Sequence, residues 1–146
     1  MPTAAKLIAG IALAMAAYGV SHVLLFRWPD LEKSGISHVH FAIIGFMVGW
    51  AKLGAAAEKG YWGGWRGGAS SAILVYFFCS IFAALHGVYS GFFYHAYRTV
   101  DEMFTGFFNL TLENASYIAD WPTFIAAIAG GMIAGTFAAM AGRLWR

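Results

Sequence analysis

The sequence predicts an all-α membrane protein with four transmembrane helices. Of its 146 residues, 60% are hydrophobic and only 11% are charged, whereas about a quarter of the residues in a soluble domain are charged. Four apolar stretches are each long enough to cross a hydrocarbon core of about 30 Å as a helix. The 18 glycines suit close helix packing within a membrane. This composition excludes a soluble domain, a disordered chain and a nucleic-acid-binding arm.

The four transmembrane helices form a single domain, residues 1–146. Pro29 stops the first helix, Ser37 is placed to cap the second, and Asp120 and Pro122 suit the start of the fourth. The third is longer than the hydrocarbon requires, so it should tilt or project into water. The expected bounds are about 4–26, 38–57, 68–94 and 122–142.

A fifth helix is predicted between the third and fourth, at about 100–118. Thr99 followed three residues later by Glu102 forms a capping box at its start. Apolar residues then recur at three- and four-residue spacing, which is typical of an amphipathic helix. We expect this helix to lie on the outer, periplasmic membrane face or over the bundle. The apolar positions are Val100, Met103, Phe104, Phe107, Phe108, Leu112, Ala115 and Ile118.

Charge is distributed unequally between the two sides of the predicted bundle. Since cytoplasmic flanks are rich in Lys and Arg, the side with more cations is predicted to be cytoplasmic, together with both termini. The other side has six of the seven acids. The protein is therefore expected to be a multi-pass protein of the bacterial inner membrane. The cations of the cytoplasmic side are Lys6, Lys52, Lys59, Arg66, Arg143 and Arg146.

Small residues recur four apart on three of the helices. Such ridges allow helix backbones to approach closely in a membrane. Packing within the chain is the favoured interpretation, and a docking face for another membrane protein is the alternative. The helix-packing residues are Gly45, Gly49, Ala83, Gly87, Gly91, Ala127, Gly131 and Gly135.

Histidines form the only candidate site for metal chemistry. His22, His38, His40 and His95 are predicted near the outer ends of the helices, where they could bind zinc or copper. His38 and His40 are two apart, so they should not share a helix face. His86 lies about 13 Å deeper than His95, and a neutral, buried and hydrogen-bonded ring is expected there. It has no obvious partner for a bis-histidine haem. No resident cofactor is predicted, although bound lipids are expected.

The sequence favours a non-enzymatic protein. It shows no Ser/His/Asp order and no paired buried carboxylates, and Cys79 is the only cysteine. The glycine-rich segment 60–68 lacks the order of a phosphate-binding loop, so it is interpreted as a tight turn. An inner basic patch of Lys52, Lys59 and Arg66 is the more reasonable place for an anion.

Short motifs along nearly the whole chain resemble the TrgA family. They are the opening residues Met1 to Leu7, the run Gly45 to Trp50, the pair Gly130-Gly131 with Gly135, and the terminal residues Arg143 to Arg146. This resemblance implies a small alphaproteobacterial inner-membrane protein associated with tellurite resistance. It implies an architecture and assigns no catalytic residues.

Three functions remain open at this point. The leading hypothesis is an accessory or structural subunit that packs against other integral membrane subunits of a larger respiratory or photosynthetic complex. The alternative is a tellurite or metal-ion resistance protein that binds metal or oxyanion directly. The second alternative is a small-molecule transporter.

Overall fold

The computed structural model describes residues 4–33, 35–94 and 97–144. Every regular element in these ranges is helical. In chain order they are α1 (Ala4–Arg27), α2 (Asp30–Lys33), α3 (His38–Val48), a π turn (Gly49–Leu53), α4 (Gly54–Ala57), α5 (Tyr61–Phe93), α6 (Val100–Ile118) and α7 (Trp121–Leu144).

Four helical segments are long and apolar enough to cross a membrane, as the sequence predicted. The second of these segments combines α3, the π turn and α4, because the helix continues without a break through the π turn. The segments are Ala5–Arg27, His38–Ala57, Tyr61–Phe93 and Trp121–Leu144.

Helix α1 packs against both α3 and α7, and α7 also packs against α5. Most side chains at the centre are apolar, and the largest that are fully buried include Leu13, Phe41, Leu53 and Val75. Small residues separate them, so the helices approach closely. This packing gives the protein one continuous core.

The π turn keeps three glycines of the second span against α1. Gly45 lies beside Leu13 and Ala17, Gly49 beside Ala9, and Gly54 beside Lys6. Gly49 and Gly54 are five residues apart, which an α-helix would place on different faces. The Gly54 N–H donates to the Gly49 carbonyl, and this wider turn restores the shared face.

The glycine-rich segment is helical, so its interpretation as a tight turn was wrong. Helix α5 begins at Tyr61 rather than near residue 68. A Cβ at Gly64 would lie 2.5 Å from the Gly135 carbonyl oxygen of α7, and one at Gly63 would meet the Ala56 carbonyl of α4. The glycines are therefore sites of close approach between helices.

Helix α5 continues beyond the start of α7. Its 33 residues span about 50 Å. Gly64 lies against Gly135 and Gly68 against Gly131, and this antiparallel register places the start of α7 level with about residue 78 of α5. The outer part of α5 is covered by α6, which returns along it with Leu110 against Gly87. We call α6 and residues 82–93 of α5 the outer hairpin.

Candidate functional site

The imidazole rings of His22 and His38 stack at one end of the bundle. Their centroids are 3.8 Å apart and their planes differ by 21°. His22 is in the last two turns of α1 and His38 begins α3, so the stack joins these antiparallel helices. The Tyr18 ring lies nearly perpendicular to the His22 ring, with the two centroids 4.9 Å apart. An open groove beside the stack is also lined by Arg27 and Glu32.

A short hydrogen-bond chain orients His38. The Ser21 hydroxyl donates to the Tyr18 carbonyl at 2.6 Å, which uses its one hydrogen. Ser21 Oγ therefore accepts from His38 Nδ1, 2.9 Å away. This assignment leaves His38 Nε2 as the acceptor nitrogen of the ring.

His40 points away from this stack, which confirms that it shares no face with His38. Its Nδ1 accepts from the Ser37 backbone N–H at 3.1 Å and lies 2.9 Å from the Ser37 hydroxyl. The ring packs on Phe82 of α5, with centroids 4.8 Å apart. His40 thus stabilises the start of α3, where Ser37 occupies the N-cap position as predicted.

His86 is not part of the stack. His86 is exposed on the bundle surface and lies against Gly35 in the connection between α1 and α3. The expectation that it is buried within the span was wrong, because α5 reaches further outward than its neighbours. His95 lies outside the described residues. Across the described ranges, no group of three or more His, Cys, Asp or Glu side chains is arranged to hold a metal ion.

The bundle has one end with several cations. Lys6 packs on Gly54, Lys59 follows α4, and the Arg143 guanidinium lies 4.5 Å from the Tyr61 ring centroid. The predicted inner basic patch is spread along this end. Lys52 Nζ donates to the Ser70 carbonyl at 3.5 Å, and Arg66 is one helical turn before Ser70.

The opposite end has an ion pair and acidic side chains. Arg27 Nε lies 2.8 Å from Asp120 Oδ2, which links the end of α1 to the residue before α7. Trp28 contacts Tyr117 of α6, with ring centroids 5.0 Å apart. The Tyr117 hydroxyl donates to Glu113 at 3.1 Å, and this hydrogen bond raises the pKa of the phenol above its usual value.

The small residues chosen from the sequence pack within this chain. Gly45 and Gly49 contact α1, Gly131 and Gly135 contact α5, and Gly87 contacts Leu110 of α6. Ala83 and Ala127 are buried, while Gly91 lies against Tyr97. A partner would therefore have to use other surfaces than these ridges.

The outer hairpin has a large exposed apolar surface. The capping box of α6 is present, since Thr99 Oγ1 accepts from the Glu102 N–H and Glu102 Oε2 accepts from the Thr99 N–H. One face of α6, which includes Phe107 and Leu110, is partly covered. Phe104 and Phe108 are each 62% exposed and Leu112 is 70% exposed. They form a second face along α6, which we call the outer stripe. The periodicity of the sequence predicted a single apolar face for α6, whereas the structure divides these apolar residues between two faces.

Comparisons with protein-family models, curated proteins and solved structures found no match to this chain.

Proposed function

We propose that this chain is a non-enzymatic accessory subunit that docks on a larger membrane complex through the outer hairpin. The observation that carries this proposal is the exposure of Phe104, Phe108 and Leu112 along one face of α6. Exposed apolar surface outside the packed core is typical of a protein or membrane interaction site.

The outer stripe is available because α6 uses a different face to pack on α5. Met103, Phe107 and Leu110 are partly covered on the packed side, and Asn114 is buried near its end. Phe104, Phe108 and Leu112 follow at four-residue spacing on the other side. A helix needs only one apolar face to pack on one neighbour, so the second face suits a second neighbour.

The outer part of α5 adds further apolar area to the hairpin. Leu85 is 55% exposed, Tyr89 is 63% exposed and Phe92 is 57% exposed. Aromatic residues are enriched in the centres of protein interfaces. The exposed acids Asp101, Glu102 and Glu113 lie on the same helix as the stripe. The partner is therefore an integral membrane protein with an apolar surface rimmed by cations.

The proposal includes an orientation in the bacterial inner membrane. Both termini and the turn containing Lys59 are cytoplasmic, and the outer hairpin is on the periplasmic side. Two groups of charges support this: Lys6, Lys59 and Arg143 at one end, and Asp101 and Glu113 at the other. Cytoplasmic flanks are enriched in Lys and Arg.

The test compares complexes extracted from native membranes in mild detergent. The wild-type protein, expressed at its natural level, should migrate in native electrophoresis far above its monomer mass and co-purify with other membrane subunits. The triple variant Phe104→Ala, Phe108→Ala, Leu112→Ala should migrate as the free protein. Loss of three central apolar side chains commonly weakens an interface by more than tenfold.

The matched control removes three exposed apolar side chains from α7, which are expected to face lipid. Ile125, Ile133 and Phe137 are 49%, 57% and 55% exposed, and their joint replacement by Ala should leave the complex intact. The proposal fails if wild-type protein is found only at monomer or dimer mass. It also fails if the two triple variants behave alike.

A further inference from the structure

Two exposed cations, Lys52 and Arg66, lie within membrane-spanning segments. Lys52 Nζ donates to the Ser70 carbonyl of α5 at 3.5 Å. Ser70 is nine residues after Tyr61, which is about 13 Å along the helix. The Arg143 guanidinium lies over the Tyr61 ring and marks the end of the bundle at that level. The Lys52 ammonium group is therefore well inside this end, and Arg66 lies between the two levels.

The packing of α5 on α7 also places these cations far from the membrane surface. Gly64 lies against Gly135 and Gly68 against Gly131, so Arg66 is level with the middle of α7. Because α7 is long and apolar enough to cross a membrane once, we expect its middle to lie within the hydrocarbon core. Ionisable side chains at such a depth are costly, and they commonly mark a functional contact.

The chain supplies no carboxylate at this depth. None of the four membrane-spanning segments contains Asp or Glu. Among the described residues, Lys52 has only the Ser70 carbonyl as a hydrogen-bond partner, and Arg66 has neither a hydrogen bond nor an ion pair. A second copy of the chain would bring no acid in its spans either. The matching negative charge therefore has to come from a different molecule.

An open apolar groove begins at these cations and runs between the second span and α5. Its volume is about 460 Å³. Met47 and Ala51 line it from the second span, and Phe78 and Leu85 line it from α5. From Ser70 to Leu85, α5 advances fifteen residues, or about 22 Å. A membrane-spanning helix crosses about 30 Å of hydrocarbon, so one helix can contact the groove along its whole length.

The far end of the groove is continuous with the outer hairpin. Phe82 and Leu85 line this end, and both belong to the part of α5 that is included in the hairpin. Leu85 is 55% exposed and is also part of the apolar area that is proposed to dock on the partner. A protein bound to the outer hairpin can therefore extend one helix along the groove.

We propose that this groove binds one transmembrane helix of the partner complex, and that this helix has an Asp or Glu within its apolar span. The carboxylate pairs with Lys52 and Arg66, while apolar side chains at helical spacing pack between the second span and α5. Lipid phosphates lie at the membrane surface, so they do not match the depth of these cations. The inference rests on the proposed function, because the helix belongs to the partner that docks on the outer hairpin.

The first test uses complexes extracted from native membranes in mild detergent. Loss of one member of a desolvated charge pair weakens an interface by about tenfold or more. The double variant Lys52→Gln, Arg66→Gln should therefore migrate as the free protein in native electrophoresis, whereas Lys52→Arg should retain the complex because it keeps the charge. Arg143→Gln is the matched control, since it removes one cation from the end of the bundle without touching the groove.

The outcomes of this test separate the inference from the proposed function. The inference alone is overturned if the triple variant of the outer stripe releases the protein but Lys52→Gln, Arg66→Gln does not. It is also overturned if Arg143→Gln releases the protein to the same extent as the double variant. Both proposals are overturned if wild-type protein is found only at monomer or dimer mass.

A cross-link in the unaltered protein avoids any effect of substitutions on folding. A membrane-permeant carbodiimide joins an amine directly to a carboxylate that it touches. In the wild-type complex it should join Lys52 to an Asp or Glu within an apolar span of another subunit, as identified by peptide mass spectrometry. Lys52→Arg keeps the charge but has no amine, so its complex should lack this product. Absence of the product from the wild-type complex, or a Lys52 product only with carboxylates outside apolar spans, would contradict the inference.

A bulky side chain tests the groove itself. Ala51→Trp places a large ring in the groove without changing the charge, so it should lower the yield of the complex. Ala129→Trp is the matched control, because Ala129 is exposed on α7 and does not line the groove. Equal yields from the two variants would show that no helix occupies the groove.

Discussion

Gly35 lies directly against the imidazole ring of His86, so the connection between α1 and α3 rests on the side of α5. A Cβ at residue 35 would collide with three atoms of that ring. Gly35 also has a φ of +83°, in the left-handed region that glycine adopts without strain. The contact holds the connection between α1 and α3 against the third membrane-spanning segment.

Gly35→Ala should therefore destabilise the protein. The left-handed backbone alone costs an alanine about 1–2 kcal/mol, and displacement of the His86 ring adds to this. Thermal unfolding in detergent measures the effect. His86→Ala in the same chain should recover only the part that is due to the ring. Gly19→Ala, where nothing lies within 4 Å, should not destabilise. Equal effects of the two glycine substitutions would contradict the contact.

Gly131→Ala tests the crossing of α5 and α7. The added Cβ would lie 2.5 Å from the Gly68 carbonyl oxygen, so the helices must separate, at a cost of about 1–3 kcal/mol. Gly130→Ala is the control, since its Cβ would meet Ala16 at 3.4 Å, an ordinary contact. Unfolding in a denaturing detergent should separate the two variants. Similar stability of both would show that the crossing is looser than described.

The hydrogen bond from Tyr117 to Glu113 predicts a pH dependence at the alkaline end. Because this carboxylate raises the pKa of the phenol, the folded protein keeps a proton that the unfolded chain loses above about pH 10. The contribution to stability is complete below that pH and is lost as pH rises further. The difference in tyrosinate absorbance between wild type and Tyr117→Phe isolates this group. In Glu113→Gln the phenol should titrate at lower pH, and an unchanged titration would contradict the assignment.

The stacked histidines predict weak binding of metal. The lone pairs of imidazole lie in the ring plane, so two rings within 21° of parallel do not direct their nitrogens at one ion between them. Zinc titration of the purified protein should show little change on His22→Ala. A stoichiometric zinc or copper ion that is lost on this substitution would favour the metal-resistance alternative.

The positions of the helices could be predicted because they depend on the length of the apolar stretches and on the capping and helix-breaking residues at their ends. Pro29, Ser37 and Thr99 mark boundaries that the structure also has, at Arg27, His38 and Val100. The start of α5 was missed because four glycines usually indicate a turn. These glycines allow close packing against Ala56 of α4 and against Gly131 and Gly135 of α7. Such contacts cannot be read from local composition.

The candidate surfaces were harder to predict. Sequence spacing placed Phe104 and Phe107 on one apolar face, but it could not say which one α5 would cover. Lys52 was assigned to a basic patch, whereas its ammonium group lies against the Ser70 carbonyl of another helix. The stacking of His22 and His38 depends on the register of α1 against α3. In each case, the missing information is how two helices pair.

The most direct test is the side of the membrane that each end of the bundle faces. In a Cys79→Ser background, Glu113→Cys and Lys59→Cys would each be treated with a membrane-impermeant maleimide in spheroplasts. With both termini cytoplasmic and the outer hairpin periplasmic, Glu113→Cys should react in intact spheroplasts, and Lys59→Cys should react only after the membrane is opened. Reaction of both thiols from the same side would contradict this orientation.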